Sequence, residues 1–220
     1  MKKSVYSLVL SDGVVAEIDR LAYETHTNRS QLVNRILAEY VSYITPEKRF
    51  QDIFQRIDAL LSGRSMIQRL PQPSDTVIAL RSALLYKYNP TLKYTIELYK
   101  GDKEFLGEMR VGLRTQSDTL LKELDRFYGA FTEIEHSLTG HRESCFEGGR
   151  FFRKLRLRSN PGVTDRTMSS NTLGDVIAAY VRLFDDAVRI WFSLIGEERS
   201  AIGEIEALYR RYLSKAEELI

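Results

Sequence analysis

Long apolar runs are missing from this sequence. No stretch approaches the roughly 18 uninterrupted apolar residues that cross a bilayer. The apolar segment behind Lys2 and Lys3 is interrupted by Ser7 and ended by Asp12, too short for a signal-peptide core and without a small-residue cleavage site. The expectation is a chain with no membrane partner. Cysteine is almost absent too. Cys145 alone cannot close an intrachain disulfide, which excludes a disulfide scaffold and points to a reducing, cytoplasmic setting. Five prolines and 13 glycines in 220 residues are too few for a linker-rich or collagen-like chain. No sign of charge dominates either: 32 basic residues against 30 acidic leave +2, so attraction to nucleic acid has to come from a local patch.

What is present is ordinary globular material, 43% apolar and 28% charged, long enough for one large domain or two unequal ones. Residues 5–10 alternate, with Tyr6, Leu8 and Leu10 on one face and Val5, Ser7 and Val9 on the other, which predicts a short strand. Ser11 and Asp12 offer capping oxygens to a helix from Asp12 to Thr25 that carries Val14, Ile18, Leu21 and Ala22. His26, Thr27 and Asn28 interrupt the period. Asn28 then caps a second helix bearing Leu32, Val33, Ile36, Leu37, Tyr40 and Val41, with Pro46 as its limit. One strand followed by two amphipathic helices leaves the strand's backbone groups without a neighbour in sequence. A second copy solves this: two strands pair antiparallel across a two-fold axis and four helices close a shared core.

The run from Tyr6 to Ala22 (YSLVLSDGVVAEIDRLA), followed by Asn28 to Val33 (NRSQLV), resembles the ribbon-helix-helix superfamily of bacterial and phage repressors, the MetJ/Arc/CopG class. The resemblance covers about the first 44 residues, with His26 standing where that family commonly has Gly. It implies a homodimer whose ribbon enters the DNA major groove. Carried over, Val5, Ser7 and Val9 are the outward reading positions, while Asn28, Arg29 and Ser30 bind a backbone phosphate at the second helix's N-terminus. Lys2 and Lys3 reach flanking phosphates. Residues 1–50 hold seven basic and six acidic side chains, a small surplus for that task, and valine meets a thymine methyl without reading donors or acceptors.

Beyond this module, Phe50, Ile53, Phe54, Ile57, Leu60 and Leu61 predict a helix ended by Ser62 and Gly63, and Gln68 to Asp75, with two prolines, reads as a loop. Thr76 to Tyr88 is apolar but unassigned by period. Leu92–Tyr99 and Phe105–Leu113 flank a turn and predict a β-hairpin. Ser117 caps a helix ending near Gly140, a mostly apolar helix starts at Thr172 and stops before Gly196, and a more polar, peripheral one fills Glu197 to Ile220. Between them, Gly148 to Arg158 carries Arg150, Arg153, Lys154, Arg156 and Arg158 with no acidic residue. This secondary basic patch reads either as a phosphate-tracking strand, with Phe151 or Phe152 for stacking, or as a half-buried edge strand whose charges deter aggregation.

Catalytic readings find no positive support. Glu133-x-x-His136 has the spacing of a di-iron helix motif but lacks a second copy. His141 and Cys145 lack an orienting third group, and Gly148-Gly149 belongs to no phosphate or dinucleotide loop. No enzyme, metal or cofactor is expected.

The expected fold class is therefore α+β: a ribbon-helix-helix dimerisation module over 1–45, a helix and linker over 46–75, and a larger, mostly helical α+β domain with a β-hairpin over 76–220. The expected function is a dimeric DNA-binding transcriptional regulator whose C-terminal domain senses a ligand, recruits a protein or builds higher oligomers. The alternative is a non-enzymatic, antitoxin-like interaction factor that uses the fold only to dimerise.

Overall fold

A computed structural model describes residues 7–41, 43–62, 67–71, 74–87, 89–102, 104–157 and 168–215. The chain divides into two compact units, Met1–Arg49 and Phe50–Ile220, and its class is α+β.

Among the described residues, regular structure in the first unit begins with a helix. The expected strand falls partly outside the described residues, at Val5 and Tyr6, and residues 7–10 form no ladder. The physical reason is the one visible in the sequence, since a strand exists only against a partner. Helix α1 (Asp12–Glu24) follows Ser11, whose side chain makes no capping hydrogen bond. Helix α2 (Arg29–Tyr40) is capped as expected, with Gln31 N–H donating to Asn28 Oδ1 at 2.9 Å. Between them His26 adopts φ of 50°, the left-handed backbone that closes the turn. The core of this unit is small: Ile18, Ala22 and Leu32, with Val33 against them.

The second unit is a six-stranded antiparallel sheet with helices on one face. Helix α3 (Pro46–Ser62) leads into β1 (Ile67–Leu70), β2 (Val77–Ala83), β3 (Thr91–Leu98) and β4 (Gly107–Leu113). Helix α4 (Asp118–Thr139), the hairpin β5 (Ser144–Glu147) and β6 (Arg150–Leu155), then α5 (Ser170–Ser193) and α6 (Glu198–Lys215) complete it. The strand order is β1-β2-β3-β4-β6-β5. Leu80, Tyr94, Met109, Val111, Phe151 and Leu155 are buried on the helix-covered face, whereas the intervening Arg81, Lys93, Arg110, Arg150 and Phe152 are exposed. That alternation is the signature of a sheet packed on one side and solvated on the other.

Two expectations change here. The supposed loop 68–75 begins as strand β1, whose Ile67 is buried and whose residues pair with β2 from Ile67↔Ser82 to Leu70↔Ala79. Helix α3 is no linker element, because Phe50, Ile53, Phe54, Ile57 and Leu61 join the main core. The β3–β4 hairpin pairs from Leu92↔Leu113 to Leu98↔Gly107. Gly107 is required there, since a Cβ would collide with the Glu97 carbonyl.

The α5 helix is the axis of this core. Phe184 lies 4.8 Å, centroid to centroid, from both Phe131 and Phe151, and 5.5 Å from Phe127. Its true cap is Ser169, which accepts from Thr172 N–H at 3.0 Å, three residues before the start expected from Thr172. Helix α6 is less peripheral than its polarity suggests, because Ala201, Ile205 and Tyr209 are buried. No described helix is long and apolar enough to cross a membrane.

Candidate nucleic-acid interface

The α2 N-terminus brings Asn28, Arg29 and Ser30 together. The Asn28 side chain is spent on the Gln31 N–H, and first-turn amides of an α-helix otherwise face outward as partial positive charge. Arg29 does not stand free. It donates from Nε to Asp19 Oδ1 at 2.7 Å and from Nη2 to Oδ2 at 2.5 Å, a two-pronged pair between α2 and α1. That hydrogen bonding holds Asp19 below and Arg29 above their ordinary pKa values. Both side chains are about half exposed, so the pair is screened and exchangeable.

Of the expected reading positions, Ser7 and Val9 are exposed, while Val5 lies outside the described residues, as do Lys2 and Lys3. Leu8 and Leu10, from the face expected to be core, are exposed as well. The same holds for Val14 and Leu21 of α1 and for Ile36, Leu37, Tyr40 and Val41 of α2 and its end. Of the apolar residues that the helical period marks as core, the unit buries Ile18, Ala22 and Leu32 and leaves these exposed.

The second basic patch is broken up by strand alternation. Strand β6 is not an edge: it pairs with β4 on one side and β5 on the other. Arg153 points inward and is 2% exposed, with Nη2 3.1 Å from Oε1 of the fully buried Glu135 and Nε donating to Oε2 at 3.2 Å. Its guanidinium lies 4.1 Å from the Tyr180 ring centre, and the Tyr180 and Tyr209 hydroxyls donate to Glu135 Oε1 at 2.9 and 2.7 Å. Burial disfavours the Arg153 charge, but Tyr180, Glu135 and Tyr209 outweigh it and hold the group above its ordinary pKa. Arg153 is therefore a core residue tying β6 to α4, and no part of a surface patch.

Lys154 faces the solvated side but is held by Glu108 at 2.7 Å and by the Tyr99 hydroxyl. Arg156 pairs with Glu104 at 2.5 Å and Glu143 at 3.4 Å. Phe151 is buried and Phe152 is 37% exposed, so only the latter could stack a ligand. Arg150 is exposed, and Arg158 lies outside the described residues.

Glu133 is on the exposed face of α4, and no group of three or more His, Cys, Asp and Glu among the described residues is placed to hold a metal ion. His141 is buried with Nδ1 3.0 Å from Glu143 Oε2, while Cys145 is exposed on the edge strand.

The sequence reading missed two buried polar networks. One is Glu135 with Arg153 and its tyrosines. In the other, Asp185 accepts from the Tyr94 hydroxyl at 2.8 Å and from Arg189 Nε at 2.9 Å, and Arg189 Nη2 donates to Ser82 Oγ at 2.6 Å. The signals existed. Glu135 stands four residues after Phe131 on the apolar face of α4, and Arg153 falls in the inward register of Phe151 and Leu155.

Comparison of the chain with family models, with curated proteins and with solved structures gives no match in any of the three.

Proposed function

We propose that this chain is a dimeric DNA-binding protein, a regulator of transcription whose first unit is a ribbon-helix-helix module. One observation carries the reading: Leu8 and Leu10 ahead of α1, with Val14, Leu21, Ile36, Leu37, Tyr40 and Val41 behind them, are all exposed in the single chain. So many exposed large apolar side chains on a unit with so small a buried core mark an interface. A second copy satisfies both needs at once. Residues 5–10 gain an antiparallel partner strand, and the exposed helix faces close a four-helix core. Val5, Ser7 and Val9 then face the major groove, Asn28, Arg29 and Ser30 sit at a phosphate, and Lys2 and Lys3 flank it. In this reading the second unit serves as a sensing, partner-binding or oligomerising domain.

A gel-shift titration against genomic fragments at low and moderate salt tests it. The full chain should bind as a dimer, with affinity falling steeply as salt rises, and Lys3→Ala and Arg29→Ala should weaken binding and flatten the salt dependence. Salt-independent absence of binding removes the DNA role.

The Arg29–Asp19 pair favours a second reading, in which the module only dimerises the chain and a protein partner is bound elsewhere. Under it, both alanine variants leave partner capture unchanged.

A further inference from the structure

The solvated face of the sheet carries a row of cations that runs across the strands. Pairing registers place Gln68 opposite Arg81, Arg81 opposite Lys93, Lys93 opposite Gly112, Gly112 opposite Arg150, and Arg150 opposite Glu147. Arg81, Lys93 and Arg150 are all exposed. At about 4.8 Å between strands, the row from Arg81 to Arg150 spans roughly 14 Å.

No ion pair among the described residues neutralises its charge. Arg81 donates from Nε and Nη2 to the neutral Gln68 amide at 3.1 and 2.8 Å, which orders the guanidinium without neutralising it. Lys93 and Arg150 make no ion pair with any other described residue. The carboxylates of the same face are engaged elsewhere: Glu97 and Glu108 with Arg110, and Glu108 with Lys154. Glu147, at the end of the row, is the one acidic side chain in register with it. Like charges set directly opposite each other on neighbouring strands, as Arg81 and Lys93 are, destabilise a sheet. Gly112 keeps the floor of the row open, and a Cβ there would lie 3.5 Å from Arg150 Cγ, so the arginine stem passes beside the glycine.

One aromatic adjoins the row. Phe152 follows Arg150 by two residues on the same face, in register with Arg110 and Cys145. A cation stripe beside an exposed ring on an open sheet suits a sugar-phosphate backbone with an unstacked base. A duplex offers no free base face to Phe152, and a second copy of this sheet face would set cations against cations.

We propose that the solvated face of this sheet binds single-stranded nucleic acid, with phosphates along Arg81, Lys93 and Arg150 and a base on Phe152. The proposal is independent of the ribbon reading, because it uses the other unit and a different nucleic-acid form.

Fluorescence anisotropy of the full chain with labelled dT20 and rU20 tests it and separates DNA from RNA as the source. Neutralising three phosphates should give a salt slope near −2.1, at about −0.7 per phosphate. Lys93→Gln with Arg150→Gln should cut the slope to about −0.7 and abolish most binding at moderate salt. Phe152→Leu should weaken binding about tenfold. Arg29→Ala should change neither quantity, and the thermal midpoint of Lys93→Gln should hold or rise, since opposed cations are relieved. Absence of binding to both oligonucleotides at about 50 mM salt would overturn the proposal. So would an unchanged affinity in the double variant, equal loss in Arg29→Ala, or tighter binding of a 20-base-pair duplex through the same residues.

Discussion

Arg29, at the first position of α2, is bound through two nitrogens to both carboxylate oxygens of Asp19 on α1. In the proposed DNA-binding reading this pair competes with a phosphate for one guanidinium. Asp19→Asn should release Arg29 and remove a nearby negative charge. DNA affinity should rise at low salt and its salt slope should steepen by about 0.9, one further phosphate contact. A gel-shift series over several salt concentrations measures both. If Arg29 serves only to join the two helices, the substitution lowers thermal stability and leaves the titration where it was.

The Glu135–Arg153 pair predicts a stability effect of a different size. Removing one partner of a wholly buried ion pair leaves an uncompensated charge and costs about 3–5 kcal/mol. Arg153→Met should therefore destabilise the larger unit by that amount in urea titrations followed by Trp191 fluorescence. Replacing both, as Glu135→Leu with Arg153→Met, should recover only part of it. The Tyr180 and Tyr209 hydroxyls both donate to Glu135, and each stranded donor costs about 1–3 kcal/mol. Full recovery in the double variant would show that the tyrosines find other partners.

How far the sequence carried these conclusions depended on whether the deciding contact was local. The α4 and α5 helices were legible because their apolar period runs over many turns, and the β3–β4 hairpin because its strands alternate around a turn. Asn28 as a cap was legible for the same reason: its partner is three residues away. Strand β1 was not, because four residues running into Pro71 read as loop until β2 supplies the ladder. The polarity of α6 hid Tyr209, whose hydroxyl matters only because Glu135 lies on another helix. The basic run along β6 shows the limit most clearly. Alternation alone separates Lys154 from Leu155, yet nothing local reveals that Glu108 and Glu104 neutralise Lys154 and Arg156, or that Glu135 takes Arg153 inward. The cross-strand row of Arg81, Lys93 and Arg150 is invisible along the chain, since it exists only in the pairing registers.

Buried tyrosines predict loss of stability in alkali. Burial raises the Tyr94, Tyr180 and Tyr209 hydroxyls above the ordinary value of 10.0, and Asp185 or Glu135 adds to it. Below pH 10 both folded and unfolded states keep these protons, so the stability is fully present. Above it the unfolded chain ionises while the folded one resists, and stability falls by about 1.4 kcal/mol per group per pH unit. Urea midpoints should hold near pH 9 and drop steeply by pH 11. Tyr209→Phe should lower stability at neutral pH, by loss of its bond to Glu135, and make the alkaline fall shallower.

The first unit predicts a concentration dependence. Its own buried core is Ile18, Ala22 and Leu32, while Ile36, Leu37, Tyr40 and Val41 lie exposed along one side of α2 and its end. A core of that size is too small to hold two helices firmly. If a second copy supplies the missing surface, folding of this unit is linked to association, and its melting temperature rises with protein concentration. The Phe50–Ile220 unit, with its own large core, should melt at a temperature independent of concentration. Leu37→Glu places a charge in the proposed interface and should convert the dimer to a monomer in sedimentation velocity runs, lowering the first transition and leaving the second unchanged. A wild-type chain that stays monomeric at high concentration, with both transitions indifferent to dilution, would remove the ribbon, its four-helix core and the DNA-binding mode built on them.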